Sequence, residues 1–303
     1  MKMKKHSIIL LVILWSISIT LTSVGVLYYS TVIKESIRNT IACFNNYFDS
    51  PQMLTPLKDP SDAWYLSENS KHGILIAHAG GGIGRSIYTN SKEAIQTSIA
   101  DGIKVIEIDI CFTSDGIPVL THNFEPDNEI SFSKIPTVQQ FLNTQINEKY
   151  TPMTFSMLIE MVKNWNGYIF IDCKRGALDD FVSYVSSKMN KVDFTKYIIQ
   201  VSSVNELKLV RKCGLFPWIH FNAPLLELEK LIPTLVRNQV HTVSVYNKDV
   251  RNGNALNTLN AANIRPFIYT INHTRRMNEV INWGGAGIFT DWLVREKICK
   301  INK

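Results

Sequence analysis

Three carboxylates on two apolar stretches form the first candidate site in this 303-residue sequence. The stretch 104–110 alternates in character, so that a strand there would carry Glu107 and Asp109 on one face. The stretch 168–174 predicts a second strand that carries Asp172. Because neighbouring strands lie about 4.8 Å apart, these oxygen donors could converge on one hard divalent cation, Mg²⁺ or Ca²⁺. Zinc prefers nitrogen or sulfur ligands, which this trio lacks.

An ion-pair network without a metal is the alternative explanation of the same charges. Lys104 and Lys174 lie on the same two stretches, and Lys174 shares its strand face with Asp172. Charges also gather at strand ends in purely structural salt bridges. The carboxylates alone therefore leave both explanations open.

Two histidines favour catalysis. His78 follows the apolar run 74–77, and His122 follows the run 117–121. Both runs predict strands, and the residues just after the strands form the active face of a parallel barrel. Two histidines there could divide the work of general base and general acid. We expect three other histidines to be structural: His220, His241 and His273.

A glycine-rich turn, 79–84, follows His78 directly. The backbone N–H groups of Gly80 and Gly81 could approach a phosphate closely, because no side chain stands in the way. Arg85, just beyond the turn, is a further cationic candidate. Such turns are common, so this one is evidence for phosphate binding only because it lies beside His78.

Eight short β-type runs alternate with amphipathic helical patterns after residue 71. The runs are 73–78, 103–110, 168–173, 196–201, 216–221, 241–246, 265–270 and 286–290. Helical spacing of apolar residues occurs in 91–101, 178–190, 203–213, 224–238 and 274–283. This order predicts an α/β fold with a parallel sheet, and its eight units favour a TIM (β/α)8 barrel over 71–303. An open doubly wound sheet is the alternative.

The segment 7–33 holds 27 consecutive uncharged residues, more than the roughly 20 that cross a bilayer as a helix. A cleaved signal peptide has only about 7–15 apolar residues, and a core helix would have to bury an all-round apolar surface. We therefore expect one N-terminal transmembrane helix, with a cytoplasmic leader, 1–6, before it and a linker, 34–70, after it. The positive-inside rule then places the N-terminus in the cytoplasm and 71–303 outside the cell membrane.

Composition and charge exclude other classes of protein. Hydrophobic residues make up 45% of the chain and charged residues 19%, which excludes a disordered chain. The formal net charge is +6, but half of that excess lies in residues 1–50, and no basic stripe remains to bind nucleic acid. The five cysteines are scattered without a C-x-x-C pair, so they predict neither a zinc site nor a disulfide framework.

Six short motifs occur one after another along the chain. They are Ile76-Ala-His-Ala-Gly80 with Tyr88-Thr-Asn-Ser91, Glu107-Ile-Asp109, Thr113-Ser-Asp-Gly116 with Val119-Leu-Thr-His122, Ile171-Asp-Cys-Lys174, Tyr269-Thr-Ile-Asn272 and Gly287-Ile-Phe-Thr-Asp291. Together they resemble the motifs of the glycerophosphodiester phosphodiesterase family, TIM barrels related to phosphatidylinositol-specific phospholipase C. Each motif alone is weak evidence, but six in the right order over 71–295 are specific.

The resemblance implies a metal-dependent phosphodiesterase. Glu107, Asp109 and Asp172 would hold the divalent cation. His78 and His122 would exchange protons with the attacking hydroxyl and the leaving alcohol, and which of them is the base is left open. The resemblance also implies substrate-binding residues, of which the lysine neutralises phosphate and the tyrosine packs against the alcohol: Lys174, Gly80, Gly81, Asn90 and Tyr269.

Three positions depart from the family's pattern. Ala79 stands where the first motif has a phosphate-contacting arginine, Thr89 stands in place of a glutamate, and Asp172 is shorter than the family's glutamate. The first departure bears on substrate binding, because a methyl group cannot replace a bidentate cation. These departures predict a divergent member with an altered substrate.

The sequence therefore predicts hydrolysis of a small-molecule or lipid-derived phosphodiester, such as a glycerophosphodiester or a related polyol or lipid-headgroup phosphodiester, to an alcohol and a phosphomonoester. A second hypothesis is a membrane-anchored barrel that has lost turnover and binds a polyol phosphate or glycan. A third is phospholipase-like cleavage of an intact lipid headgroup at the bilayer. His78 and His122 favour an enzyme, because a pure binder needs no proton exchange.

Overall fold

The computed structural model describes the chain in five stretches: 73–125, 132–174, 176–189, 194–220 and 225–293. The leader, membrane segment and linker expected in residues 1–70 lie outside these stretches. Within the described stretches, no helix combines the length and apolar character that a membrane crossing requires. The span 7–33 therefore stays a prediction.

Eight parallel strands form a closed barrel, and a ninth short strand joins its sheet. The strands are β1 (Ile74–Ala77), β2 (Val105–Phe112), β3 (Pro118–Leu120), β4 (Tyr168–Cys173), β5 (Tyr197–Val201), β6 (Phe216–His220), β7 (Thr242–Tyr246), β8 (Arg265–Tyr269) and β9 (Gly287–Thr290). Strand β1 pairs in parallel with both β2 and β9, so the sheet closes on itself. This closure confirms the TIM-barrel prediction, because an open sheet would leave β1 or β9 at an edge.

Helices alternate with the barrel strands. They are α1 (Lys92–Ala100), α2 (Val138–Leu142), α3 (Phe155–Val162), α4 (Leu178–Lys188), α5 (Val204–Lys212), α6 (Leu225–Arg237), α7 (Asn254–Ala261) and α8 (Thr274–Asn282). Ser91, Thr154 and Ser203 begin three of them, each accepting a hydrogen bond from a backbone N–H of the first turn. All five predicted helical patterns are confirmed.

Strand β3 confirms the strand predicted before His122, but it is not one of the eight parallel barrel strands. It pairs with β2 and runs antiparallel to it. The loop 113–117 is too short for anything else, because a parallel crossover needs a dozen or more residues. His122 still reaches the barrel mouth, since the N–H of Thr121 donates to the carbonyl of Asp109 at 3.1 Å.

An apolar floor fills the barrel below its mouth. Its buried members are Ile74, Ile76, Val105, Phe170, Ile198, Trp218, Phe267 and Phe289. Phe170 meets Trp218 edge-on, with 5.1 Å between ring centroids. After Val105, the next inward positions on β2 are Glu107 and Asp109. The alternation of the strand therefore places the charges directly above the apolar floor.

Candidate active site

The three predicted metal ligands come together on adjacent strands. Asp109 on β2 lies opposite Asp172 on β4, and Glu107 lies two residues earlier on the same face of β2. One carboxylate oxygen of each residue lies within 4.8 Å of the other two. Glu107 and Asp109 are only 3% and 1% exposed. A set of oxygen donors alone suits Mg²⁺ or Ca²⁺ better than a transition metal.

Lys174 balances part of this negative charge. Its Nζ lies 2.8 Å from Asp109 Oδ1 and also donates to Asp172. Lys104 is exposed and precedes β2, at the opposite end of the strand from Asp109, so it does not join the network. The predicted ion pairs therefore form with one lysine. One ammonium group cannot neutralise three ionised carboxylates, so the Lys174 ion pairs are compatible with cation binding.

Burial opposes the charged form of all three carboxylates, but the neighbouring charges act on them differently. Burial and the nearby charge of Asp109 raise the pKa of Glu107 to about 8. Burial also raises the pKa of Asp172. Burial opposes the charged form of Asp109 too, but the ammonium of Lys174 lowers the pKa of that carboxyl. A divalent cation would stabilise the charged forms, so this donor set fits such an ion.

Two groups behind the carboxylates fix their orientation. Asn90 donates from Nδ2 to Asp109 Oδ2 at 2.8 Å and accepts from the Asp109 N–H at 2.9 Å. The N–H of Ala79 donates to Glu107 Oε2 at 2.5 Å. Asn90 is fully buried and is not on the cavity wall. Asn90 therefore orients Asp109, and its contact with the substrate stays a prediction.

Asp291, just after β9, orients His78. Its Oδ1 lies 2.9 Å from His78 Nδ1, and Asn272 donates from Nδ2 to its other oxygen at 2.6 Å. Burial opposes the charged imidazole, but the hydrogen bond to Asp291 and the charge of Glu107 raise the pKa of His78 to about 9. Neither Asp291 nor Asn272 was among the predicted site residues. Their position just after β9 and β8, at the active face, is the signal that could have found them.

Replacing Asp291 by asparagine is expected to slow the phosphodiester hydrolysis that the resemblance implies, though less than removing His78. The substitution removes the charge that favours a protonated His78, so the pKa of His78 falls. The high-pH decline of kcat/KM should then begin at a lower pH than in the unsubstituted enzyme. A pH–rate profile checks this, and an unchanged profile with a lower rate would mean that Asp291 has only a structural role.

His122 faces the same space in a different electrostatic environment. Its Nδ1 lies 3.0 Å from the amide Nδ2 of Asn123. Burial lowers the pKa of His122, whereas the pKa of His78 is raised. Two titratable groups with pKa values pushed apart are the usual basis for separate donor and acceptor roles.

One cavity of about 390 Å³ is lined by both histidines, His78 and His122, and by Glu107, Asp172 and Lys174. The ring of Tyr88 stands between the histidines, with centroids 4.7 Å from His78 and 6.0 Å from His122. Tyr269 lines the cavity, where the resemblance placed it. His220 lines it too, although it was expected to be structural.

The glycine turn lies outside the cavity wall. Gly80 and Gly81 are buried, and the N–H of Gly81 donates to the carbonyl of His78 at 2.8 Å. A Cβ at Gly81 would collide with Ser98 of α1, and its φ of +92° also favours glycine. Both glycines thus allow a tight turn against α1, and their contact with phosphate stays a prediction. Arg85 is exposed and does not line the cavity.

Comparison with known protein families agrees with this geometry. Residues 81–294 match the sequence model of the glycerophosphoryl diester phosphodiesterase family. The chain belongs to this family. It is therefore a phosphodiesterase built on a TIM barrel. No curated protein matches the chain.

Solved structures of the glycerophosphoryl diester phosphodiesterase type share this fold. A phosphodiesterase from Oleispira antarctica, in complex with the product sn-glycerol-3-phosphate, is 16% identical with a TM-score of 0.62, covering 76% of this chain and 97% of its own. A glycerophosphodiester phosphodiesterase from Thermotoga maritima is 19% identical with a TM-score of 0.59, covering 77% and 99%. A glycerophosphoryl diester phosphodiesterase from Parabacteroides distasonis is 14% identical with a TM-score of 0.62, covering 78% and 91%.

Ala79 remains the main departure from the glycerophosphoryl diester phosphodiesterase pattern. Its side chain is fully buried and does not line the cavity. The positive charge that faces a phosphate must therefore come from elsewhere. Lys174 lines the cavity and is held beside the carboxylates, which makes it the best-placed cation.

Proposed function

We propose that the chain hydrolyses glycerophosphodiesters, or related polyol or lipid-headgroup phosphodiesters, in a divalent-cation-dependent reaction that yields an alcohol and a phosphomonoester. The observation that carries this proposal is that three clustered carboxylates, two of them buried, lie beside two histidines at one cavity. Phosphodiester hydrolysis requires both stabilisation of phosphoryl charge and a proton for the leaving alcohol. The bound product sn-glycerol-3-phosphate in the Oleispira antarctica phosphodiesterase is a phosphomonoester of the expected kind.

Glu107, Asp109 and Asp172 are the residues that would hold the cation, Mg²⁺ or Ca²⁺. When bound, such an ion acts as a Lewis acid on a phosphoryl oxygen. Lys174 adds a second positive charge at the same place, because Asp109 and Asp172 fix its ammonium group. Burial opposes the charge of Lys174, but these carboxylates raise its pKa, so it stays protonated.

His78 is the better candidate for the proton donor. Asp291 accepts at its Nδ1, so the ring is held with its Nδ1 away from the substrate and its charged form is favoured. His122 would then accept the proton of the attacking hydroxyl. The attacker is either water or a neighbouring hydroxyl of the substrate.

A hydrolysis screen of the full chain, purified in detergent, tests the proposal. Suitable substrates are glycerophosphoethanolamine, glycerophosphoglycerol and lysophospholipids. We expect release of a phosphomonoester with Mg²⁺ or Ca²⁺, loss of activity with a chelator and recovery when the ion is added back. Release from lysophospholipids alone would instead support cleavage of lipid headgroups.

A barrel that binds without turnover is the second candidate, and Ala79 is the observation that favours it. Without the arginine of the motif, the chain could hold a polyol phosphate or glycan without stabilising a transition state. Binding of glycerol 3-phosphate without hydrolysis of any diester in the screen would support this candidate.

We also propose that residues 7–33 anchor the protein in the cell membrane as a single span. Support comes from the long uncharged run and from the three lysines within residues 1–6. This topology keeps the N-terminus in the cytoplasm and the catalytic barrel on the other side.

A reporter fused after Lys303 is therefore expected to be extracytoplasmic. Membrane retention should survive washing with high salt or carbonate, because a spanning helix is held by apolar transfer rather than by charge. Alkaline phosphatase and a cytoplasm-active fluorescent protein, fused separately, give the measurement. Activity of the cytoplasmic reporter would contradict this topology.

A further inference from the structure

Tyr88 brings a phenol hydroxyl group to the wall of the cavity. The residue is half-buried, so part of its side chain stays accessible. Within the stretches that the structure describes, this hydroxyl forms no hydrogen bond with the protein. By contrast, the hydroxyl of Tyr150, which is not on the cavity wall, donates to the carbonyl of Ile83 at 3.2 Å. The Tyr88 hydroxyl is therefore available to a ligand in the cavity.

The chain after Tyr88 holds the ring in this position. The φ angle of Tyr88 is +59°, in the left-handed region that a bulky residue rarely adopts. The next two residues, Thr89 and Asn90, are buried, and Asn90 donates from Nδ2 to the Tyr88 carbonyl at 3.4 Å. The same amide group binds Asp109, so the peptide that carries Tyr88 is tied to the carboxylates. Unfavourable backbone conformations that are held in this way cluster at functional sites.

Tyr88 also lies beside the turn that carries Ala79. The N–H of Asn90 donates to the Ala79 carbonyl at 3.0 Å, which joins the two segments. The Tyr88 ring meets that of His78, the residue directly before Ala79, with 4.7 Å between ring centroids. The phenol is therefore close to the position at which the family's motif has a phosphate-contacting arginine.

The Tyr88 ring packs edge-on against both histidines. The ring planes meet those of His78 and His122 at 79° and 80°. In the proposed reaction, His78 serves the leaving oxygen and His122 serves the attacking oxygen. Because these two oxygens lie roughly in line on opposite sides of phosphorus, a group that contacts both histidines faces the non-bridging oxygens. Those oxygens carry the charge that a hydrogen-bond donor can stabilise in the transition state.

The charged groups around Tyr88 keep its phenol protonated. Burial raises the pKa of the phenol, and so do three nearby carboxylates, those of Asp291, Asp109 and Glu107. The ammonium of Lys174 acts in the opposite direction but does not reverse the shift. The hydroxyl is therefore a donor at neutral pH, and it lies within electrostatic range of both the carboxylates and Lys174.

We propose that Tyr88 is a further substrate-binding residue, whose hydroxyl donates a hydrogen bond to a non-bridging phosphoryl oxygen in place of the arginine of the motif. The hydroxyl would share the phosphoryl charge with Lys174 and the proposed cation. A hydrogen bond to an ionised oxygen is about twice as strong as one between neutral groups. This inference rests on the proposed function, since it requires the phosphate to lie between the carboxylates and the histidines.

Tyr88→Phe tests the contact, because it removes the hydroxyl and keeps the ring. We expect kcat/KM for glycerophosphoethanolamine or glycerophosphoglycerol to fall about ten- to hundredfold, the range for a hydrogen bond to a charged group. Tyr88→Ala should lower kcat/KM at least as much. If Tyr88→Phe turns over normally and Tyr88→Ala does not, the ring only supports the histidines, and the proposal is wrong.

Binding of glycerol 3-phosphate tests the same contact without turnover. Calorimetric titration of the full chain in detergent, with Mg²⁺ present, should show about tenfold weaker binding to Tyr88→Phe. Affinity for Mg²⁺ alone should not change, because the phenol is not one of the proposed ligands. Tyr184→Phe is the matched control, since the Tyr184 hydroxyl lies 3.4 Å from Ser156 Oγ and away from the cavity. Equal affinity of both variants for glycerol 3-phosphate would overturn the inference.

Failure of this inference differs from failure of the proposed function. Hydrolysis of a glycerophosphodiester with the same kcat/KM in Tyr88→Phe and in the unsubstituted enzyme would refute the role of Tyr88 and leave the proposed function standing. Weaker binding of glycerol 3-phosphate to Tyr88→Phe, without hydrolysis of any diester by the unsubstituted chain, would refute the proposed function and leave the phosphate contact standing.

Discussion

Glu107→Gln is expected to abolish cation-dependent hydrolysis while the barrel stays folded. Glutamine retains the shape of the side chain and an oxygen that can accept from the N–H of Ala79, but it removes one of three negative ligands. Asp172→Asn should have the same effect on activity.

The measurements for both variants are turnover and calorimetric titration with Mg²⁺ and Ca²⁺. Asp180→Asn, an exposed carboxylate on α4, is the matched control. Unchanged ion affinity in both variants would rule out the metal site.

Stability should distinguish Glu107 from Asp109 when a chelator is present. The folded-state pKa of Glu107 is raised from 4.5 to about 8. The contribution of this carboxyl to folding stability is therefore fully present below pH 4.5 and is lost as the pH rises through about 8. Glu107→Gln should therefore raise the unfolding temperature of the metal-free protein at pH 9 and leave it nearly unchanged at pH 4.

Asp109→Asn should have the opposite effect on the metal-free protein. Lys174 and Asn90 both bind this carboxylate, and its pKa is lowered. Its charge therefore stabilises the fold at neutral pH, and that stabilisation is lost at low pH. Thermal unfolding at pH 7 checks the sign, and a more stable Asp109→Asn would mean that repulsion outweighs the Lys174 pair.

His78→Ala and His122→Ala are each expected to lower kcat by roughly a hundred- to ten-thousand-fold, the usual contribution of general acid–base catalysis. Ion affinity should be retained, because neither histidine belongs to the carboxylate trio. Combining the two substitutions should cost little more than one, since the residues would act in the same proton exchange.

His241→Ala is the matched control for these variants, because His241 directly precedes β7 and lies away from the cavity. Initial rates on one verified glycerophosphodiester, measured with saturating ion, provide the comparison. Near-normal turnover of either His78→Ala or His122→Ala would reject the role assigned to that residue.

The barrel and the carboxylate trio could be predicted because both depend on local patterns. Alternation along β2 determines that Glu107 and Asp109 share a face, and strand spacing is the same in every sheet. Placing Asp172 beside these two residues required only the register of β2 against β4, and Asp109 does lie opposite Asp172. The position of His78 followed in the same way from the end of β1.

Other parts of the site depend on contacts that no local pattern contains. Asp291 meets His78 across 213 residues, and the pairing requires β1 and β9 to be neighbours. The position of His220 on the cavity wall, beside Tyr269, also depends on how β6, β7 and β8 pair across the sheet. The burial of Asn90 behind Asp109 likewise depends on the path of the turn before α1.

Closure of the barrel has a consequence for the order in which the enzyme's properties arise during folding. The proposed cation ligands lie on β2 and β4, and His122 follows β3, so all of them belong to the first part of the barrel. Asp291 follows β9, so His78 gains its partner only when the last strand pairs with β1. A nascent chain can thus assemble its carboxylates before it can hold a proton on His78. If the carboxylates bind a cation as proposed, ion binding would test the first half of the barrel, and turnover would test the closed barrel.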